Sequence, residues 1–391
     1  MKYLREFRDA AVARGLGEAI RKAVSGRRKW RLMEFCGGHT HALCRYGLLD
    51  MLPPEVEMIH GPGCPICVLP VGRLEQAMAL SRRPGVVLAS FGDLLRVPGR
   101  HGKSLLSTKA EGSDIRMVLG SSDALQLARD LPDREIVFLA VGFETTTPPT
   151  AVALERARVE GLSNFSVLCN HVLTPPAIAA IVGDGRIAVD GFVGPGHVSA
   201  IAGTAPYEPF AREHNKPVVV SGFEPLDLLQ SILMLVRQLE EGRSEVENQY
   251  TRAVAREGNR KAQAIVAKTL EIRPSFEWRG LGTLPDSALR VRAEYGAWDA
   301  ERRWSVPYEP VADHPACSCG EVLRGHKKPP DCTIFATACT PEHPLGSCMV
   351  SPEGSCAAYY ASGRGRPAAA PSEARPADAG ATAAASPRGA P

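Results

Sequence analysis

Residues 135–150 read EIVFLAVGFETTTPPT. An apolar run, Ile136–Val141, stops at a glycine and a polar loop follows. Thr147-Pro148-Pro149 then offers a Thr cap with Pro at the first helical position, ahead of the helix-like stretch Thr150–Glu160. A short, continuous apolar run that passes through a loop into a helix is the sequence form of a buried parallel strand. The form recurs on both sides. Leu32–Cys36, Val56–His60, Val86–Ser90, Ile115–Gly120, Phe165–Asn170, Ala188–Gly194 and Val218–Ser221 are further runs. Helix-like segments such as Arg73–Arg82 and Ala124–Arg129 separate them. The expected fold class is α/β, with doubly wound parallel sheets.

The runs contain what reads as an internal duplication. Cys36 precedes Gly61-Pro62-Gly63 by 25 residues, and Cys169 precedes Gly194-Pro195-Gly196 by the same 25. The turns continue into Cys64 and His197, and VVLASFGDLL from Val86 matches VVVSGFEPLDLL from Val218. Two similar α/β domains are therefore expected, 30–140 and 141–240. A helix within 1–29, with Leu4, Phe7, Ala11, Val12 and Leu16 on one face, is expected to pack with a C-terminal domain. That domain, 241–360, is expected to be helical and irregular, since Leu235–Lys268 is polar and helical and Arg273–Pro310 has few strand signals. Residues 361–391, dominated by Ala, Pro and Gly, cannot bury enough apolar surface to offset the entropy of ordering, so a disordered tail is expected.

Composition excludes several function classes. Lys plus Arg exceeds Asp plus Glu by only 46 − 43 = 3, too little to argue for nucleic-acid binding. Aromatics at 6% give no stacking platform for single strands. No run approaches the roughly 18 apolar residues of a membrane span. The start, MKYLREFRDA, lacks the apolar stretch of a secretory signal. A soluble, cytoplasmic chain is expected. In that compartment its 11 cysteines read as metal ligands or redox groups before structural disulfides.

In doubly wound sheets, ligands bind beyond the carboxyl ends of the strands. CGGHTH, GPGCPIC, FGD, GFETTTPP, CNH, GPGH and GFEP all fall there, which points to a site between the two domains. Cys36, His39 and His41 could bind iron or zinc, act as nucleophile and base, or form a turn with a buried thiol. Cys64-Pro65-Ile66-Cys67 suits a reversible disulfide or half a zinc site. With no second CxxC in the chain, and a helix start that would lower the thiol pKa, redox use is favoured. Glu144, Thr145, Thr146 and His197 complete the candidate set. Cys317, Cys319, Cys332, Cys339, Cys348 and Cys356 crowd a 40-residue stretch rich in Gly and Pro. Four thiolates there suit a cubane iron–sulfur cluster better than zinc, which usually pairs its ligands as CxxC. Gly99 to Ser104 ends like a phosphate-binding loop, but two residues separate its glycines where four are needed.

Together, CGGHTH at 36–41, HGPGCPICVLP at 60–70, GFETTTP at 142–148, GPGHVS at 194–199 and the C-terminal cysteines resemble the HypD family of hydrogenase maturation proteins. The resemblance runs from about residue 30 to 360. It implies a scaffold, more than a turnover enzyme, for assembling the Fe(CN)2CO group of nickel–iron hydrogenases. It also implies complex formation with a HypC-type small chaperone, cyanide delivery from a HypE-type protein, indirect service to a hydrogenase large subunit, and a 4Fe-4S cluster. The family spacing Cys-x14-Cys-x6-Cys-x16-Cys falls on Cys317, Cys332, Cys339 and Cys356, leaving Cys319 and Cys348 outside. Cys36 is the expected ligand of the diatomic-bearing iron, His39 and His41 orient or protonate, and Cys64 and Cys67 cycle between dithiol and disulfide. The alternative is an iron–sulfur-dependent thiol–disulfide oxidoreductase of the ferredoxin–thioredoxin reductase type.

Overall fold

The computed structural model describes residues 6–26, 28–185 and 188–365. Eleven strands form three sheets: β1 (Trp30–Glu34), β2 (Val56–His60), β3 (Val86–Ser90), β4 (Asp114–Met117), β5 (Glu135–Gly142), β6 (Phe165–His171), β7 (Gly191–Pro195), β8 (Val218–Ser221), β9 (Val246–Asn248), β10 (Leu270–Trp278) and β11 (Gly282–Val291). β2, β3 and β8 coincide with their expected runs, whereas β1, β4 and β7 are shifted by two or three residues at one or both ends. β3, β5, β6, β7 and β8 are buried almost throughout, because helices cover both faces of a parallel sheet.

One sheet is ordered β2-β1-β7-β8-β9 and the other β4-β3-β5-β6, all pairs parallel. Numbered by appearance within its own sheet, each runs 2-1-3-4, with the first carrying a fifth strand. Two similar doubly wound units are thus present, but they are nested, not in tandem. The chain leaves the first sheet after β2, builds the second, and returns at β7. The expected boundary at residue 140 falls inside β5. Both Gly-Pro-Gly turns belong to the first sheet, one after β2 and one closing β7, so they are not equivalent points in two domains. Cys36 follows β1, whereas Cys169 lies inside β6, where its thiol donates to the Leu289 carbonyl. What repeats is the chemistry of strand ends.

The first helix, Ala10–Ala23, buries Ala13, Gly17 and Ile20 and leaves Val12 51% exposed, a face rotated from the expected one; Leu4 lies outside the described residues. It packs on the Pro225–Glu240 helix, through a core that joins Ile20 to Leu228, Leu229 and Ile232, and not on the cysteine-rich region. The region 241–360 also departs from expectation. β9 completes the first sheet, and β10 and β11 form a long antiparallel hairpin. Pro274 and Pro285 interrupt those strands, and the register slips between Arg273 and Ser275, which hid the strand pattern. The hairpin docks beside β6 through the Val172–Ala288 bridge and the Leu173 N–H to Ser287 carbonyl bond. Residues 361–365 close the Ser355–Ala361 helix, with Arg364 paired to Asp50; the rest of the expected tail lies outside the described residues. Among the described residues no helix is long and apolar enough to cross a membrane.

Phe192 of β7 is fully buried, edge-on to Phe35 at 6.1 Å and to Phe210 at 5.4 Å. Phe192→Ala should cost about 3–5 kcal/mol, read as a lower urea midpoint at unchanged slope.

Candidate functional site

Parallel order sends the loops after β1, β2, β7 and β8 to one edge of the first sheet, and the switch point lies between β1 and β7. Cys36 follows β1 there, 8% exposed, and begins the Gly37–Arg45 helix. Its N–H donates to Glu34 Oε2 at 2.9 Å. The glycines around it permit close approach. A Cβ on Gly63 would fall 2.4 Å from the Cys36 nitrogen, and one on Gly37 would fall 2.5 Å from Glu353. Glu353, from the cysteine-rich region, thus leans over the Cys36 turn. Burial pushes the Cys36 thiol up, Glu353 and Glu34 add to this, and the N–H groups of Gly38 and His39 oppose it.

Glu34 is fully buried and accepts two donors besides the Cys36 N–H: the Thr40 hydroxyl and, at 2.8 Å, His60 Nδ1. His60 Nε2 lies 2.9 Å from the Tyr359 hydroxyl. A buried chain therefore runs from the Cys36 amide to the helix that carries Cys356. Sequence reasoning missed Glu34, His60, Tyr359 and Glu353. The available signal was a carboxylate and an imidazole closing two mainly apolar strands, each after two consecutive buried apolar residues.

His39 is fully buried, with Nε2 3.3 Å from the Ser221 carbonyl and Nδ1 without a partner among the described residues. Burial lowers its pKa to about 4. Its ring sits 4.8 Å from Phe223, against which His197 stacks at 3.7 Å. His39 and His197 therefore share one wall. His41 does not join them: two helical residues on, it is turned by about 200° and is partly exposed.

Cys64 and Cys67 form a disulfide, both buried, their Cα atoms 5.2 Å apart. The helix between them spans only Pro65–Val68, too short to supply the dipole expected from the sequence. Beyond β5, Glu144 accepts from the N–H and hydroxyl of Thr174, at 2.8 and 2.9 Å, and so caps the Thr174–Gly183 helix. Burial raises its pKa to about 6. Thr147, expected as a cap, instead lies inside its helix, after Thr146. The Thr146 hydroxyl closes the loop on the Phe143 carbonyl at 3.1 Å, while Thr145 faces solvent. GFETT mainly structures its own turn.

The six C-terminal cysteines line one small cavity, about 10 Å³ in volume, together with Phe335, Gly346 and Met349. Cys319 and Cys348, outside the family spacing, stand in the same wall as Cys317, Cys332, Cys339 and Cys356. In that wall the neighbouring thiols, Cys317 first and then Cys348, draw the Cys319 thiol well down, and Cys319 in turn pushes Cys317 and Cys348 up. Cys339 accepts the Leu345 N–H at 3.3 Å. Among the described residues no three His, Cys, Asp or Glu side chains are set around a single metal position. Six sulfurs about a volume, with no carboxylate in the wall, nevertheless suit the thiolate ligation of an iron–sulfur cluster.

Ser347 links this cavity to the disulfide. Its buried hydroxyl donates to the Cys67 carbonyl at 3.0 Å and lies 3.6 Å from Cys319 Sγ. Cys64, Cys67, Phe143, Cys319 and Cys348 share one apolar core with Phe35, next to Cys36. Two cysteines line neither the cavity nor the disulfide. Burial pushes Cys44 and Cys169 each up to about 12, as expected of packed thiols.

The chain matches the HypD family model, described as the Hydrogenase formation hypA family, over residues 11–363. It is 58% identical over 372 residues to a hydrogenase maturation factor HypD of Rhizobium leguminosarum bv. viciae, covering 94% of this chain and 97% of that one. It is 55% identical to the HypD of Cupriavidus necator, covering 93% and 98%, and 43% identical to that of Escherichia coli K12, covering 92% and 98%. A match of this extent, over a fold with the expected motifs at its strand ends, places the chain in the HypD family of hydrogenase maturation factors.

Proposed function

We propose that the chain is a scaffold on which iron acquires cyanide and carbonyl ligands, with Cys36 as the protein's ligand to that iron. The observation that carries the reading is convergence: the Cys64–Cys67 disulfide shares one core with Cys317, Cys319, Cys348 and Cys356 of the cysteine cavity, and Phe35 of that core leads directly into Cys36. A thiolate suits low-spin iron with strong-field diatomic ligands. To serve, Cys36 must give up its proton. The N–H groups of Gly38 and His39, at the start of the helix, favour the thiolate that remains. Glu34 holds the Cys36 amide, and through it the turn, in place.

Cys317, Cys332, Cys339 and Cys356 would hold a 4Fe-4S cluster, which when bound supplies electrons one at a time. Reducing Cys64–Cys67 breaks one S–S bond and takes up two electrons and two protons, leaving two thiols. Ser347 keeps the disulfide segment against the cysteine cavity for that exchange. A HypC-type small chaperone is the partner in this reading, and a HypE-type protein delivers cyanide.

The test is an infrared spectrum of the anaerobically prepared complex with its small chaperone. Cyanide and carbonyl bands support the scaffold, and their absence in complex that holds iron and sulfide rejects it. The disulfide seated against Cys319 favours the second reading, an iron–sulfur-dependent disulfide reductase, which would reduce Cys64–Cys67 without diatomic bands. Zinc in place of iron would reject both. Alkylation before and after dithionite should trap two additional thiols in iron-loaded protein and none in Cys64→Ser; a two-thiol difference that persists in Cys64→Ser would exclude the pair.

A further inference from the structure

We propose that the ion pair Arg279–Asp313 sets the redox potential at the C-terminal cysteines, with Arg279 favouring the reduced state and Asp313 opposing it. The inference rests on the reading that these cysteines hold an iron–sulfur cluster. Arg279 occupies the turn between β10 and β11, only 4% exposed. The turn is pressed onto the cysteine-rich region: Gly280 takes a φ of +81°, and a Cβ there would fall 2.8 Å from the Gly320 Cα. On its other side, the Arg279 N–H donates to the Val68 carbonyl at 2.9 Å, at the end of the disulfide segment. The residue therefore sits between the disulfide and Cys319.

A buried guanidinium is costly unless its charge and its donors are answered. Arg279 Nε lies 3.0 Å from Asp313 Oδ1, but Nη1 is buried and has no hydrogen-bond partner among the described residues. Asp313 itself is only partly buried, so one half-solvated carboxylate faces a cation that water hardly reaches. The Gly280–Gly320 contact sets this pair beside Cys319, in the cavity wall. Adding one electron adds one negative charge inside that wall. In a weakly screening interior a fixed cation stabilises that charge and a fixed anion resists it.

The experiment is a dithionite titration of the iron-loaded full chain, with the reduced cluster followed by electron paramagnetic resonance. Arg279→Gln should lower the midpoint potential by at least a tenfold change in the oxidised-to-reduced ratio, 59 mV for one electron. Arg279→Lys should restore most of it, and Asp313→Asn should shift the potential upward. Opposite signs are the signature, since a merely structural role would lower iron content without ordering the potentials this way. Unmoved potentials, or shifts of one sign in Arg279→Gln and Asp313→Asn, overturn the inference. If Arg279→Gln fails to retain iron, Asp313→Asn decides alone: upward supports, unmoved or downward refutes. An unsubstituted chain that takes up no iron and sulfide refutes the cluster reading itself and the inference with it. A cluster that binds but does not respond refutes only the inference.

Discussion

Cys36→Ala should abolish the cyanide and carbonyl infrared bands of the chaperone complex while leaving the iron held by the C-terminal cysteines unchanged. The separation follows from how Cys36 is held. Its contact with Glu34 is through the backbone N–H, which alanine keeps. The close packing of Gly37 and Gly63 around the turn is also to backbone and Cβ atoms that survive the change. The Glu34–His60–Tyr359 chain does not use the sulfur at all. What is lost is one buried sulfur, worth of order 1 kcal/mol of packing in a chain of this size, and the only thiol at this strand end. Cys44→Ala is the control: that thiol is equally buried but packs against Tyr359 and Phe335, away from the turn, so its bands should be normal. Normal bands in Cys36→Ala would end the assignment of Cys36 as the iron's ligand.

The second large effect is loss of iron. Replacing Cys317, Cys332, Cys339 or Cys356 singly by serine should reduce iron and sulfide to near zero and remove the visible absorption of the cluster. Cys319→Ser and Cys348→Ser should retain both. The measurement matters because all six thiols share one cavity, and because Cys319 touches Cys317 and Cys348 touches Cys356. A sulfur outside the family spacing is thus within reach of one inside it. If Cys319→Ser loses iron while Cys317→Ser keeps it, the family spacing names the wrong four. The retained pair then bears on electron flow, since Ser347 places Cys319 beside the Cys67 carbonyl. Variants that keep iron but no longer reduce Cys64–Cys67 would locate the interruption between cavity and disulfide.

Much of this molecule was legible in the chain because the relevant physics is local. A strand covered on both faces is apolar almost throughout, so β3 and β8 stood out at their true bounds, and β2 did so despite Glu57. The loops that follow such strands carry the chemistry, and Cys64 and Cys67, three apart, could find each other through one turn of backbone. The antiparallel hairpin was illegible for an equally local reason. With Pro274 and Pro285 in its strands and a slipped register, neither alternation nor a continuous run survived to mark it.

By itself, the sequence determined strands β1 to β8, the motif-bearing loops and the family, since each is written in contiguous residues. Only the tertiary structure decided that the second sheet is inserted between β2 and β7, because strand order depends on pairings between distant segments, not on any segment's own composition. It likewise decided which polar residues surround Cys36. Glu34 meets His60 from 26 residues away, His60 meets Tyr359 from 299, and Ser347 meets Cys67 from 280. A hydrogen bond at 3 Å requires only that two groups be brought together and share no other position to go to; burial within a folded core enforces that, and no spacing along the chain records it.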